Sequence, residues 1–395
     1  MLLEIIFFLF LGILFGIFTG LVPGLHINLI GAVLVSLSAT VFYEMNGIYL
    51  VVFIVSMAIS HVFLDFIPSI FLGAPEDGTE LSVLPGHEML KNGLGFQAIC
   101  LTSLGGILGI FLFLVSLLPL IWLSPMINSF TGKIIPFILI IASFGLVLAE
   151  KKKINALLAF AISGILGLIV LNLDFKEPLT PLLTGMFGAS SILLSLKSNS
   201  KIEKQNTEEI VKVKKFKPLI ASLIVSPLSI FLPALSSGQL AAMGNQISKS
   251  EKGEFLFMLG AINVLAMSFS FLALFVLSKT RTGSAFAVKE ILGSVDARIF
   301  ALIVAAIVLS GIISFFVSRF IAKKFAVIIE KINYKKVSIS VLLIMIAIVF
   351  AVSGIVGIAV LIASTLTGIY CISLGISRTQ MMGCLILPTI FLYIF

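Results

Sequence analysis

His61 and Asp65 stand four positions apart inside the apolar run 48–72. At helical spacing they share one face and can meet. Asp65 is the carboxylate set deepest in an apolar segment, and an ionisable group at such depth is a functional candidate by default. Pro68, three residues on, loosens the helix and frees a carbonyl nearby. The pair suits a proton relay or cation coupling. Capping or ion pairing at the helix end is the structural alternative.

A second chemistry belongs to the backbone. The stretch Thr19-Gly20-Leu21-Val22-Pro23-Gly24-Leu25-His26-Ile27-Asn28 interrupts two apolar segments. Pro23 has no N–H and clashes with the preceding turn, while Gly24 accepts any backbone region. The break leaves carbonyls free on one side and N–H groups free on the other. In lipid such groups must be buried in protein or line a wet cavity. A half-helix N-terminus there offers its amides and positive dipole end to an anion. The counterpart is Leu232-Pro233-Ala234-Leu235-Ser236-Ser237-Gly238-Gln239, whose Ser, Ser and Gln are unusual in so apolar a chain. Amides after Gly24, at Leu25 and His26, and those around Ser236, Ser237, Gly238 and Gln239, would then hold an anion. Asn28, Ser60, Asn263 and freed carbonyls would coordinate a cation, and His61 with Asp65 would carry a proton. Two purely structural proline kinks are the alternative.

The loop 73–96 is dense in Gly, Pro and acids: Gly73-Ala74-Pro75-Glu76-Asp77-Gly78-Thr79, then Pro85-Gly86-His87-Glu88-Met89. Its plain reading is a solvated turn with Glu76 and Asp77 capping the next helix. The basic run Lys279 to Gly283 stands at the equivalent place in the second half and suits attraction of an anion.

The elements that must position these residues follow from composition. Of 395 residues, 59% are hydrophobic and 11% charged, against roughly 25% charged in a soluble domain; mean hydropathy is +1.23. Apolar segments fall at roughly 2–21, 25–42, 48–72, 97–120, 134–149, 154–172 and 178–196, then at 218–232, 235–248, 254–277, 296–318, 339–353, 354–374 and 380–395. Seven precede the polar linker 197–217 and seven follow it. The expected fold is an all-α polytopic membrane protein with a first repeat at 1–196, a mobile cytoplasmic linker at 197–217 and a second repeat at 218–395.

Lysines fix the orientation. Placing 151–153, 197–217 and 319–336 in the cytoplasm makes segments 48–72 and 254–277 equivalent but opposite in direction. That is an inverted-topology repeat, recurrent in secondary transporters, each half holding a broken or re-entrant hairpin plus about five spans. Ala58-Ile59-Ser60 against Ala261-Ile262-Asn263 supports the pairing. The net charge of +8 comes from inter-span lysines and does not indicate nucleic acid. Cys100, Cys371 and Cys384 read as small core residues. The first span lacks a basic n-region and an Ala-x-Ala site, so it reads as retained. Gly12, Gly16 and Gly20 form a small-xxx-small packing ladder. No Walker A loop, HExxH, GxSxG or kinase motif occurs, which leaves ATP-driven pumping and hydrolysis unsupported.

Gly20-Leu21-Val22-Pro23-Gly24-Leu25 is similar to the Gly-x-x-Pro-Gly-Leu of the large membrane subunit of tripartite tricarboxylate transporters. The stretch from Gly73-Ala74-Pro75 through Pro85-Gly86-His87-Glu88-Met89 to Gly93, Gly95 and Ala98 resembles a second loop of that family. The resemblance implies a divergent, shorter member performing cation-coupled carboxylate uptake. It also implies a small membrane subunit and a soluble binding protein as partners. Pro23, Gly24 and Leu25 match the first binding loop and Pro75 the second. His26 stands where the family usually has Gly, Pro233-Ala234 replaces a second-half Pro-Gly, and Lys279 to Gly283 has no counterpart.

The expected function is a plasma-membrane secondary transporter for small organic anions, carboxylates first, coupled to Na⁺ or H⁺ and needing no other cofactor. A homodimer is compatible with it. A translocase for a polyprenyl phosphate or similar anionic lipid head group is the alternative, and an enzyme ranks below both.

Overall fold

The computed structural model describes residues 2–22, 31, 35, 45–75, 78–197, 203–208, 212–231, 236–331 and 334–394. Every regular element among them is helical. The first half contains α1 (Leu2–Leu21), α2 (Gly47–Leu64), α3 (Phe66–Phe71), α4 (Val83–Lys91), α5 (Gly95–Ala149), α6 (Lys153–Leu171), α7 (Leu179–Leu183) and α8 (Ser190–Lys197). The second contains α9 (Phe216–Val225), α10 (Leu228–Phe231), α11 (Ser237–Ser248), α12 (Lys252–Leu277), α13 (Gly283–Leu292), α14 (Ala297–Lys331), α15 (Tyr334–Ser373) and α16 (Gly383–Ile394). A π-helical turn, Thr184–Ala189, joins α7 to α8. A 3₁₀ turn, Arg378–Met382, leads into α16.

Among the described residues seven helical stretches are long and apolar enough to cross a bilayer. With large side chains such as Leu3, Leu14, Trp122, Ile141 and Leu366 exposed along the outer helices, the chain is a multi-pass membrane protein. Two segments sit inside: α2 is buried along nearly its whole length, and α12 over most of it. A helix apolar on every side and enclosed by others is a core helix.

One expected division of the chain is not a loop. Segments 97–120 and 134–149 belong to one helical run of 55 residues, α5, with Pro119, Pro125 and Pro136 inside it. At ~1.5 Å per residue it reaches about 80 Å, more than twice a hydrocarbon core. Segments 339–353 and 354–374 are two helices, as the sequence divides them: they meet inside α15 at a kink where Gly354 (φ 64°, ψ −157°) is not helical. The linker also departs from a free tether. Gln205 is buried; it donates to Leu90 O (2.9 Å) and accepts from Gly95 N (2.9 Å). Asn206 N bonds Gly93 O (2.8 Å). A side-chain amide has donors and acceptors enough to satisfy both ends of that turn, so 205–206 is held against the membrane domain.

Packing is reciprocal between the halves. α2 lies on α14 of the second half, and α12 lies on α5 of the first. α6 packs on α16, and α15 packs on the π turn and its flanking helices. Glycines permit the close crossings. Gly12, Gly16 and Gly20 of α1 each face the α2 backbone, where a β-carbon would strike Phe53 O, Met57 O or His61 O. The ladder expected from the sequence is therefore a packing device. Cys100, Cys371 and Cys384 are buried.

Candidate functional site

Pro23, Gly24, Leu25, His26, Asn28 and Pro233, like Glu76 and Asp77, lie outside the described residues. The remaining candidates are placed, and several meet. α11 begins at Ser236, whose extended backbone (φ −73°, ψ 157°) makes it the N-cap. Its hydroxyl accepts from Gln239 N (3.2 Å), and Gln239 Oε1 accepts from Ser236 N (2.8 Å). This reciprocal capping box explains the polar run: Gln239 serves the helix start itself.

The two serines at that start each lead to a carboxylate. Ser236 Oγ donates to Glu80 Oε1 (3.1 Å). Ser237 Oγ donates to Asn263 Oδ1 (2.9 Å), and Asn263 Nδ2 donates to Asp65 Oδ2 (3.2 Å) and Val62 O (3.4 Å). A carboxylate only accepts, so the amide orientation follows from this chain of bonds. A β-carbon on Gly238 would collide with Glu80 Oε1, so that carboxylate rests directly on the first turn of α11.

Loop 73–82 completes the cluster. Ser69 Oγ bonds both Asp65 O (2.9 Å) and Thr79 Oγ1 (2.7 Å). Gly78 has φ 96°, and a β-carbon there would lie 2.9 Å from Asn263 Oδ1. Only glycine takes that backbone without strain. The loop is therefore no solvated turn. Ala74, Thr79 and Glu80 are 0% exposed, and Pro75 is buried, its Cδ facing Gly188 of the π turn. Asp65 (1% exposed) and Glu80 thus share one buried cluster built from both halves, among hydroxyl and amide donors. Burying charge is costly without compensation, and the Ser236 hydroxyl and the Asn263 amide supply part of it here.

His61 and Ser60 join other helices. Thr19 Oγ1 donates to Gly16 O (3.2 Å), so His61 Nδ1, 3.0 Å away, donates to it. Ser60 Oγ accepts from Ser314 Oγ of α14 (2.9 Å). Ser60 is thus tied to α14, outside the Asp65–Asn263 chain of bonds.

Glu80 was not singled out from the sequence, where it is one acid among four in a Gly- and Pro-rich loop. Buried polar residues beside Pro75 form a further group. His87 Nδ1 donates to Ile70 O (2.9 Å). Burial pushes its imidazole down to about 4. A histidine held neutral below its ordinary 6.5 makes folding weaken as pH falls from about 6.5 towards 4, because the unfolded chain binds the proton first. The full span corresponds to about 3 kcal/mol at most. His87→Asn keeps a donor for Ile70 O and should flatten this loss. Melting temperatures of the two proteins in detergent between pH 7 and 4 should diverge at the acid end, and parallel curves would refute it.

Among the described residues no three His, Cys, Asp or Glu side chains converge as a metal site. The profile of the Tripartite tricarboxylate transporter TctA family matches residues 6–383. The chain is also similar to Uncharacterized protein MJ1079 of Methanocaldococcus jannaschii, 30% identical over 355 residues, 87% of this chain and 88% of that protein. No solved structure matches it. TctA proteins are transporters, not enzymes, and form the large membrane component of a system with a small membrane subunit and a soluble binding protein. A match over nearly the whole length, on a multi-pass helical chain, places this protein in the tripartite tricarboxylate transporter TctA family.

Proposed function

We propose that the chain is a secondary active transporter moving small organic anions, carboxylates first, together with Na⁺ or H⁺. The observation that carries this is the buried cluster linking Asp65 and Glu80 to Ser236, Ser237 and Asn263. It lies where the two halves meet, at the start of a short helix within the membrane domain. Two carboxylates there attract cations, and a cation bound among them offsets the charge of an arriving anion. Neither ion then enters comfortably alone, which is the physical content of coupling.

On this reading residues 1–196 and 218–395 are inverted repeats. The exchange of partners, α2 with α14 and α12 with α5, α6 with α16 and α15 with α7–α8, is what a two-fold relation between halves produces. The protein sits in the plasma membrane with the lysine-rich linker 197–217 in the cytoplasm, and works with a small membrane subunit and a soluble binding protein. A homodimer is compatible with the lipid-facing outer helices.

Uptake of labelled citrate and succinate into proteoliposomes, with and without Na⁺ and pH gradients, tests the proposal. Uptake that follows one gradient and collapses with it supports coupling. No uptake under any gradient, with binding of a polyprenyl phosphate instead, would sink it in favour of lipid translocation.

A further inference from the structure

Arg378 opens the 3₁₀ turn before α16 and points into the protein instead of towards lipid or water. Its Nη1 donates to Ser191 Oγ at 2.5 Å, and Ser191 is buried in the first turn of α8. Its Nε is buried with no hydrogen-bond partner. No carboxylate lies within ion-pairing distance of it among the described residues. Glu88, the nearest acid acting on it, is itself paired with Lys252 of α12. Lys91 and His87 are close enough for the guanidinium to disfavour their protonation. Among the described residues Glu88 thus acts on Arg378, Lys91 and Lys252 together.

The loop Gly73–Pro75 packs against His87, the π turn and the start of α8, the helix that carries Ser191. A β-carbon on Gly73 (φ 71°) would lie 3.3 Å from His87 Cε1 and 3.4 Å from Ile192, the residue after Ser191. Gly188, in the π turn just before α8, faces Pro75 Cδ and Gly73 O. A π turn leaves its backbone bonds out of the regular ladder, and such turns concentrate at functional sites. Two small residues, a backbone that only glycine adopts freely and a guanidinium with unused N–H capacity are thus all placed against the start of α8.

We infer that Arg378, with Ser191 and the Gly73–Pro75 loop, forms a carboxylate-binding subsite. This rests on the transport reading above and names the residue that meets the anion. A guanidinium presents parallel N–H groups matched to the two oxygens of a carboxylate. Covering one of those N–H groups without a partner is unfavourable until an anion supplies it. The subsite shares its loop with Glu80, so the stretch 73–82 touches both the anion at Arg378 and the cation-attracting cluster at Asp65.

The test uses the full chain in detergent with citrate, succinate, acetate and inorganic phosphate as probes, each matched in ionic strength by chloride. Citrate or succinate should raise the melting temperature of the wild type above the chloride control. Arg378→Gln should abolish that rise. Arg378→Lys keeps the charge but loses the fork, and should weaken the apparent affinity at least about tenfold. The melting temperature of each variant in chloride alone reports its folding, so a variant that melts cooperatively as the wild type does but shows no rise with citrate has lost binding and not structure. The subsite is overturned if folded Arg378→Lys binds citrate as the wild type does, if no carboxylate shifts the wild type, or if phosphate alone does. Failure of wild-type uptake under every gradient would instead strike the transport reading, which this binding assay does not use.

Discussion

On the proposed reading, Asp65→Asn is expected to abolish cation-coupled uptake while leaving the protein folded. The substitution is isosteric, and the new amide can still present an oxygen to Asn263 Nδ2, so the link to Ser237 survives. What disappears is a full charge at a site that is 1% exposed. Removing one partner of a buried charge interaction costs about 3–5 kcal/mol. At 1.36 kcal/mol per tenfold, uptake driven by the coupling cation should fall by ~100-fold or more. Two measurements are needed together: initial uptake rates against Na⁺ and pH, and thermal unfolding. A folded variant with unchanged dependence on both ions removes Asp65 from coupling. Ser60→Ala is the matched control. Its hydroxyl accepts from Ser314 on α14, so its loss should cost stability modestly and leave ion dependence alone.

Much of this site was legible in the sequence, and the reasons differ by residue. Asp65 and Asn263 announce themselves because a carboxylate or a carboxamide in a long apolar run has no cheap explanation in lipid. The capping sequence Ser236 to Gln239 is a local signal, four residues long, and local signals survive without tertiary information. The pairing of His61 with Asp65 shows the limit of spacing. Four residues put two side chains on one face, but which helix covers that face is a tertiary matter. Here α1 supplies Thr19 for the histidine, and α12 supplies Asn263 for the carboxylate.

Glu80 and Arg378 escaped for opposite reasons. Loop composition rich in Gly, Pro and acid is the ordinary signature of solvent exposure, so burial of Glu80 reads as its contrary. The loop can enter the protein because Gly73 and Gly78 take φ of 71° and 96° and Ser69 and Thr79 satisfy one another on the way in. Arg378 stands at the edge of an apolar segment, where a basic residue is normally an interfacial anchor. Only the position of Ser191, 187 residues earlier in the chain, distinguishes an inward guanidinium from a snorkelling one. The break expected within α5, between 120 and 134, failed for a simpler reason. Proline and polar residues mark places where a helix can end, and a neighbouring helix that packs across them can keep it going.

Gly105→Ala is expected to destabilise the fold by about 3 kcal/mol, at the upper end of the usual cost of overpacking, although alanine is the better helix former by roughly 0.8–1.0 kcal/mol. The sign is set by what lies opposite. A β-carbon at Gly105 would fall on Phe257 O and lie 2.9 Å from Ala261 N, and one at Gly260 would fall on Thr102 O. Both helices of the α5–α12 crossing thus give up side chains so that their backbones touch. Backbone cannot rotate aside, so the two helices must separate. Gly311→Ala should cost little, since its β-carbon meets chiefly the flexible end of Ile110. Gly293→Ala meets nothing within 4 Å but stands at φ 73°, and should lose about 1–2 kcal/mol to strain. Unfolding of the three variants in detergent should therefore rank Gly105 worst, Gly293 next and Gly311 least. If Gly311→Ala proved as damaging as Gly105→Ala, backbone contact would not be what fixes the crossing. The consequence reaches function as well. Asn263 sits one turn from Gly260 on the same helix, and its bonds to Ser237 and Asp65 are 2.9 and 3.2 Å long. Separation of α5 from α12 by even about 1 Å would take those bonds out of hydrogen-bonding range. Gly105→Ala should thus lower coupled uptake even at temperatures where the protein remains folded, by displacing the amide that joins the two halves.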